Sequence, residues 1–520
     1  MKFYSARTIV LAFAIVNAAL YACFLPLWEG FDEPFHYAYV ESLSANHTFP
    51  VFGHSKVSAE IDSSLGDVPV SRFLSPATPG TPTFEQWFTL PAADKEARAV
   101  RPINTALRTE ASALNNYEAQ QSPLAYVLLA PFDAALSHVD LRLRVLVLRL
   151  ISAVAATLLL SFGLSKLCTL LRVSDVFAPA AMACIFGSQM LWATVAHIGN
   201  DSLAVPLTLL FLTCLGLAVH SNRASDLLIL SALLAAGLLT KAYFLAFAPV
   251  FGAFLGYWIL RNRNYKAALI AVLIPLITAG PWYWHNHQLY GSFSGTQQAV
   301  AGIGFTQALQ ASTKIPWLTS AADFLRWSLW TGNWSFLSFS KATLNAELIL
   351  AGVALAFYLA RFRRITAPEW WCLAACACFV TALIYQTCVT YVHTHGESLF
   401  AEPWYWQGVV CFIWVIAFRG LLQGGIAGRV LAIATVVLSA WIAAITYVGK
   451  LFPMYGGGFE PATFHRVWAW WTAHPTLDLK LVALAPPPVL YALLLMLLAL
   501  IAVQTAAIST RLLKMPPVKA

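Results

Sequence analysis

Glu29, Asp32, Glu33 and His36 fall within eight residues of one stretch, Trp28-Glu29-Gly30-Phe31-Asp32-Glu33-Pro34-Phe35-His36-Tyr37, directly after the first long apolar run. Closely spaced carboxylates suit general-base chemistry, in which one takes a proton while a neighbour orients it or raises its proton affinity. Carboxylates are scarce in this chain of 520 residues, which is 59% hydrophobic and 11% charged. A pair of them at a membrane-water boundary is a functional-site candidate on that ground. The same residues fit a helix start, with Asp32 as cap and Pro34 in the first turn. The two roles are compatible.

Other polar groups stand at the ends of later apolar runs. They are Glu118 and Gln121 in Asn116-Tyr117-Glu118-Ala119-Gln120-Gln121-Ser122-Pro123, then Arg149, Asn200-Asp201, Lys241, His285-Asn286 and His393-Thr394-His395-Gly396-Glu397. Arg149 and Lys241 are the cations expected at the outer interface, where they would hold an anion, and His285 is the third. Arg149 also fits a snorkelling side chain, Lys241 a helix end, and Asn200-Asp201 an N-cap. His36 and His393 fit hydrogen-bonded interfacial residues as well as ligands.

The elements that must position these groups are membrane spans. Apolar runs of about 20 residues, the length of one crossing, recur along a chain of mean hydropathy +0.67. The expected architecture is an all-α polytopic membrane protein of about twelve spans. They are residues 9–27, 142–167, 176–196, 203–219, 227–239, 244–260, 267–280, 344–360, 371–391, 409–418, 430–448 and 488–507. The chain divides into a first span (1–27), a first outer loop (28–142), a membrane core (143–285), a second outer loop (286–343) and a C-terminal membrane region (344–520). The formal charge of +8 comes largely from Lys and Arg in short turns. These turns orient the chain with both termini in the cytoplasm, and the excess does not point to nucleic acid.

Half of the 24 Asp and Glu residues lie in residues 28–121 of the first outer loop, so it is a structured segment and no missed span. It is expected to hold an interfacial helix over 34–45 and a charged helix over 92–114, followed by a surface helix over 124–137. The aromatic patch Trp327-Ser328-Leu329-Trp330-Thr331-Gly332-Asn333-Trp334 is expected to anchor the second loop at the interface. The nine cysteines fall in or beside apolar runs and read as small buried hydrophobes. Leu20-Tyr21-Ala22-Cys23 is similar to a lipoprotein cleavage box, but the apolar run continues to Leu27 and an uncleaved span is expected.

The polar clusters all land on one side of this topology. An acidic pair after an N-terminal span, then Gln120-Gln121-Ser122-Pro123-Leu124-Ala125-Tyr126, Arg149-Leu150-Ile151-Ser152-Ala153 and Asn200-Asp201, resembles the GT-C superfamily of polyprenyl-phosphate-dependent glycosyltransferases. The nearest kind is the bacterial mannosyltransferase-like and aminoarabinose-transferase-like group. The resemblance implies that Asp32 is the base of an inverting transfer at the periplasmic face of the cytoplasmic membrane, with Glu33 in support. It implies a polyprenyl-phosphate sugar donor, a glycan, lipid or protein acceptor, and contacts with membrane lipids. Substrate contacts then fall on His36, Glu118, Gln121, Arg149, Asn200, Asp201, Lys241, His285 and Asn286. Two positions depart from the pattern, because His285-Asn286 stands where related chains often have Arg-Asn, and Gly396-Glu397-Ser398 where they often have Gly-Arg-Tyr. Each departure removes a cation. A divalent metal held through Glu118, Asp201, Glu397 or Glu402 is the other source of charge. The alternative from a different class is a transporter or flippase of glycolipid or envelope precursors, and a non-catalytic envelope-assembly protein is the third.

Overall fold

A chain crossing hydrocarbon must bond its backbone polar groups internally, and helices do so within one segment. The computed structural model of the chain, which describes residues 6–72, 74–331, 338–457, 463–473 and 477–515, is helical accordingly. Ten of the described helices are long and apolar enough to cross a bilayer, from Ala6–Phe24 to Pro487–Lys514, and a bent pair makes an eleventh. The protein is a multi-pass membrane protein. The helix Ala6–Phe24 packs against Leu141–Leu170, Phe177–Gly187 and Pro487–Lys514, and Asp201–Ser221 is the most enclosed span. Lys2 and Lys519, two of the basic residues that bear on the expected orientation, lie outside the described residues.

Two of the twelve expected spans take a different form. Residues 176–196 fold as Phe177–Gly187 and Gln189–Val195, bent by 63° at Ser188. Side chains meet the backbone and loop groups around the break. Asn17 Nδ2 and Trp192 Nε1 donate to Phe186 O at 3.0 and 2.8 Å, while Gln189 accepts the Thr331 N–H at 3.1 Å. Residues 227–239 form a helix of only 15 residues, Ala224–Leu238. At about 1.5 Å per residue this covers about 22 Å, less than the ~30 Å hydrocarbon core. The chain leaves that helix early, places Lys241 in extended backbone (φ −155°, ψ 136°), and turns through Ala242–Phe247 into Ala248–Asn262.

In the first outer loop the helix Glu33–Ala45 forms as expected, whereas the charged helix over 92–114 does not. Only Ala92–Ala99 is α-helical, Pro102 follows, Thr105–Thr109 makes a short 3-10 helix, and Ala111–Asn115 pairs antiparallel with Lys56–Ser58. Proline cannot continue a helix, and it pushes the preceding residue toward extended backbone. The short helix after the loop is Leu124–Ala135, and it packs on Glu33–Ala45. Of the aromatic patch, Gly332, Asn333 and Trp334 lie outside the described residues. Trp330 is buried, with its indole N–H on Thr446 Oγ1 at 2.8 Å.

A buried ionic network fastens the loop to the spans. Arg144 pairs with Glu60, and Arg108 pairs with Asp133 and, at 3.5 Å, with Glu41. The Tyr37 hydroxyl donates to Asp133 at 2.8 Å and accepts from Arg144 at 2.8 Å. Burial, with the charge of Glu60 adding to it, holds the Glu41 carboxyl well above the usual carboxylate range. The network fixes the body of Glu33–Ala45, and with it the direction in which its first residues point.

Candidate active site

Three anchors hold the segment that carries Asp32. Arg149 Nε donates to Glu33 Oε1 at 2.7 Å, its Nη2 pairs with Glu33 Oε2, and it caps the carbonyls of Leu25 and Pro26 at 2.6 and 2.9 Å. The backbone N–H of Ile198 donates to Glu33 Oε1 at 3.0 Å. The ring of His197 lies against Gly30, where a Cβ would come within 2.6 Å of His197 Cβ, so only glycine fits. Phe31 stacks on Trp404 with ring centroids 4.3 Å apart.

These anchors leave Asp32 in left-handed backbone (φ 53°, ψ 21°) at the cap position of Glu33–Ala45, with no side-chain cap bond. Left-handed backbone is unfavourable for residues other than glycine, with Asn and Asp tolerating it best. The carboxylate, released from capping, accepts the Tyr117 hydroxyl and lines a cavity of about 530 Å³.

The lining joins polar residues, Asp32, Tyr117, Glu118, Gln120, Gln121, Lys241 and Glu402, to apolar ones, Leu245, Ala246, Phe379, Ala382, Leu383 and Tyr385. Leu245 and Tyr385 are also among the exposed apolar residues, at 42% and 41%, and stand on the spans Ala242–Asn262 and Ala367–His393. Gln121 Nε2 donates to Glu118 Oε2 at 2.6 Å, and Gln121 Oε1 accepts from Asn200 Nδ2 at 2.9 Å. Gln297 Nε2 reaches across from the second outer loop to Tyr117 O at 3.1 Å. Lys241 is the one Lys or Arg among the described lining residues. Its Nζ lies 2.5 Å from Asp201 Oδ2 and 4.4 Å from the Tyr405 ring centroid.

Of the residues singled out in the sequence, Asp32, Glu118, Gln121 and Lys241 line the cavity, with Asn200 and Asp201 directly behind them. Glu33 and Arg149 are fully buried and paired with each other, so Arg149 holds the loop and is not among the cavity-lining residues. His36 is packed behind the site, its Nδ1 at 2.8 Å from the Tyr126 hydroxyl. His285 is exposed and leans on Trp282, which leaves it outside the cavity wall. Asn286 is buried behind Gly295, a rim residue with φ +64° whose Cβ would lie 2.8 Å from Asn286 Nδ2. Sequence reasoning missed Tyr117, Tyr243, Tyr405, Gln120 and the polar rim from Ser294 to Gln298. The signal available for two of them was tyrosine beside a candidate acid, as in Tyr117-Glu118, and in the Glu402-Pro403-Trp404-Tyr405 turn.

The residues offered for a metal do not converge. Asp201 is paired with Lys241, Glu397 is exposed and away from the wall, and among the described residues no group of three His, Cys, Asp or Glu is placed to hold one.

No family model matches the chain, and no curated protein matches it. Its fold is similar to that of a solved structure. That structure is ArnT from Cupriavidus metallidurans bound to undecaprenyl phosphate, at 11% identity and a TM-score of 0.44, covering 97% of this chain and 76% of that one.

Burial raises the Asp32 carboxyl to about 6, against the pull of the Tyr117 hydrogen bond and the Lys241 charge. Glu118 goes further, to about 8, through burial first and the charge of Asp32 next. At neutral pH the first is ionised and able to take a proton. The second keeps its proton and adds no negative charge to the cavity. A base acts in its ionised form, so kcat/KM for any reaction using Asp32 rises with pH through about 6. Tyr117→Phe removes a bond that lowers this value, so the limb moves to higher pH. A pH-rate profile of parent and variant checks both expectations, and a limb at about 4, the range of an unperturbed aspartate, contradicts them.

Proposed function

We propose that the chain is a glycosyltransferase that moves a sugar from a polyprenyl-phosphate donor to a hydroxyl of a glycan, lipid or protein acceptor. The site would face outward from the cytoplasmic membrane, with both termini in the cytoplasm. One observation carries this reading. A proton-accepting carboxylate and, among the described lining residues, a single cation share one cavity with apolar side chains of two membrane spans, two of which are exposed on the outside of the helix bundle. That combination suits a molecule with a hydrocarbon chain, a phosphate and a reacting sugar.

In the inverting reaction the acceptor oxygen attacks the anomeric carbon as its proton passes to Asp32. The bond from that carbon to the phosphate oxygen breaks on the opposite face, and the electron pair leaves with the lipid phosphate. Lys241 Nζ stabilises the charge that develops there. Tyr405 and Asp201 hold the ammonium in place, and Tyr117 holds the carboxylate. Glu33 and Arg149 act through the loop they fix.

The test is donor binding by a charge-balanced pair. Lys241→Met alone strands the buried Asp201 carboxylate, which is costly in itself. Lys241→Met with Asp201→Asn removes both charges, and it is expected to melt near the parent while binding polyprenyl phosphate about 10- to 100-fold more weakly. Unchanged affinity in this variant contradicts the assignment of Lys241.

A further inference from the structure

Three buried oxygens of the cavity lining have no hydrogen-bond partner, Gln120 Oε1, Glu402 Oε2 and the Tyr243 hydroxyl. The large majority of buried polar side-chain atoms are bonded, and an exception on a cavity wall marks a place for a ligand group. Gln120 Oε1 only accepts, Glu402 Oε2 accepts when ionised, and the Tyr243 hydroxyl can do either, so the group that completes the first two is a donor. Gln120 is 4% exposed and belongs to the same turn as Glu118 and Gln121. Glu402 opens the turn Pro403–Trp406, where the Tyr405 N–H donates to its carbonyl at 3.2 Å.

That turn ties Glu402 to the reacting centre from two sides. Tyr405 carries Lys241 over its ring, and Trp404, itself on the cavity wall, stacks on Phe31 beside Asp32. A phosphate on Lys241 is joined to its sugar through one oxygen, so the ring that follows lies between Lys241, Asp32 and Glu402. An acceptor would have to reach Glu402 past that ring.

We propose that Gln120 and Glu402 form a subsite that accepts hydrogen bonds from hydroxyls of the transferred sugar, and that this sugar is a hydroxyl-bearing ring without a carboxylate. The inference rests on the donor reading of the cavity. It deepens that reading by naming the residues that select the sugar. A uronate is disfavoured because its carboxylate would meet the charge of Asp32 and the unpartnered acceptor oxygens of Gln120 and Glu402.

The full chain in lipid nanodiscs is titrated with decaprenyl phosphate, with decaprenyl-phosphate hexoses of gluco, manno and galacto configuration, and with decaprenyl-phosphate glucuronate. At least one hexose is expected to bind more tightly than the bare lipid phosphate, and the glucuronate more weakly than that hexose. Glu402→Gln and Gln120→Met, both close in shape to the parent side chains, are each expected to weaken the best hexose about 5- to 10-fold. Affinity for decaprenyl phosphate and the melting temperature should stay at parent values. Hexose binding no tighter than the bare lipid, glucuronate binding as tight as the best hexose, or variants that weaken both lipids alike or neither overturn the subsite. A parent that binds none of the lipids overturns the donor reading beneath it, so the two failures are distinguishable.

Discussion

Asp32→Asn lowers turnover of a polyprenyl-phosphate sugar about 10³-fold, within the range a positioned general base supplies. The substitution is close to isosteric, and the local backbone favours it. Asp32 sits at φ 53° and ψ 21°, where Asn is among the best tolerated residues. The amide oxygen can still accept the Tyr117 hydroxyl that Asp32 accepts. What the amide cannot do is take the acceptor's proton. The variant should therefore fold, melt near the parent and bind the donor lipid within about twofold, while the chemical step fails. Asp32→Ala would be a poorer test, because it adds backbone strain and leaves Tyr117 without its partner.

Arg149→Met has the second large effect, and it falls on stability. The guanidinium meets Glu33 and the carbonyls of Leu25 and Pro26 in a fully buried position. Removing one partner of such a pair strands the other charge, at a cost of about 3–5 kcal/mol. Folded yield in detergent and the melting temperature should both fall. Glu33→Gln with Arg149→Met should recover much of the loss, since no buried charge is then left alone. A phosphate-binding Arg149 predicts the reverse pattern, with weaker donor affinity at an unchanged melting temperature. A thermal melt of the single and double variants beside donor titrations separates the two.

The spans were legible because hydrocarbon imposes one rule on every residue it touches, and long apolar runs with basic turns obey it. The exceptions are where the chain builds the site. Ala224–Leu238 stops short to place Lys241, and 177–195 bends around Gln189. Asp32 was legible through scarcity, as a carboxylate at the end of an apolar run. The role of Arg149 was not, because its partner Glu33 lies 116 residues away and pairing at that range depends on packing. His285 and Asn286 show the limit within one helix. Consecutive helical residues point about 100° apart, so one faces outward and its neighbour is buried behind the cavity rim. The sequence offers Glu402 only as a metal ligand and Gln120 only as one member of a motif, because nothing local says that the fold brings both to one cavity.

The most direct measurement follows a polyprenyl-phosphate sugar through the purified chain in nanodiscs, scoring release of free polyprenyl phosphate and the anomeric configuration of the product. The expected result is release that depends on an acceptor, with the configuration inverted, and that is lost in Asp32→Asn while the donor still binds. Donor that is bound, or carried across the bilayer, without cleavage by the parent contradicts transferase chemistry. Parent-level turnover by Asp32→Asn contradicts the base.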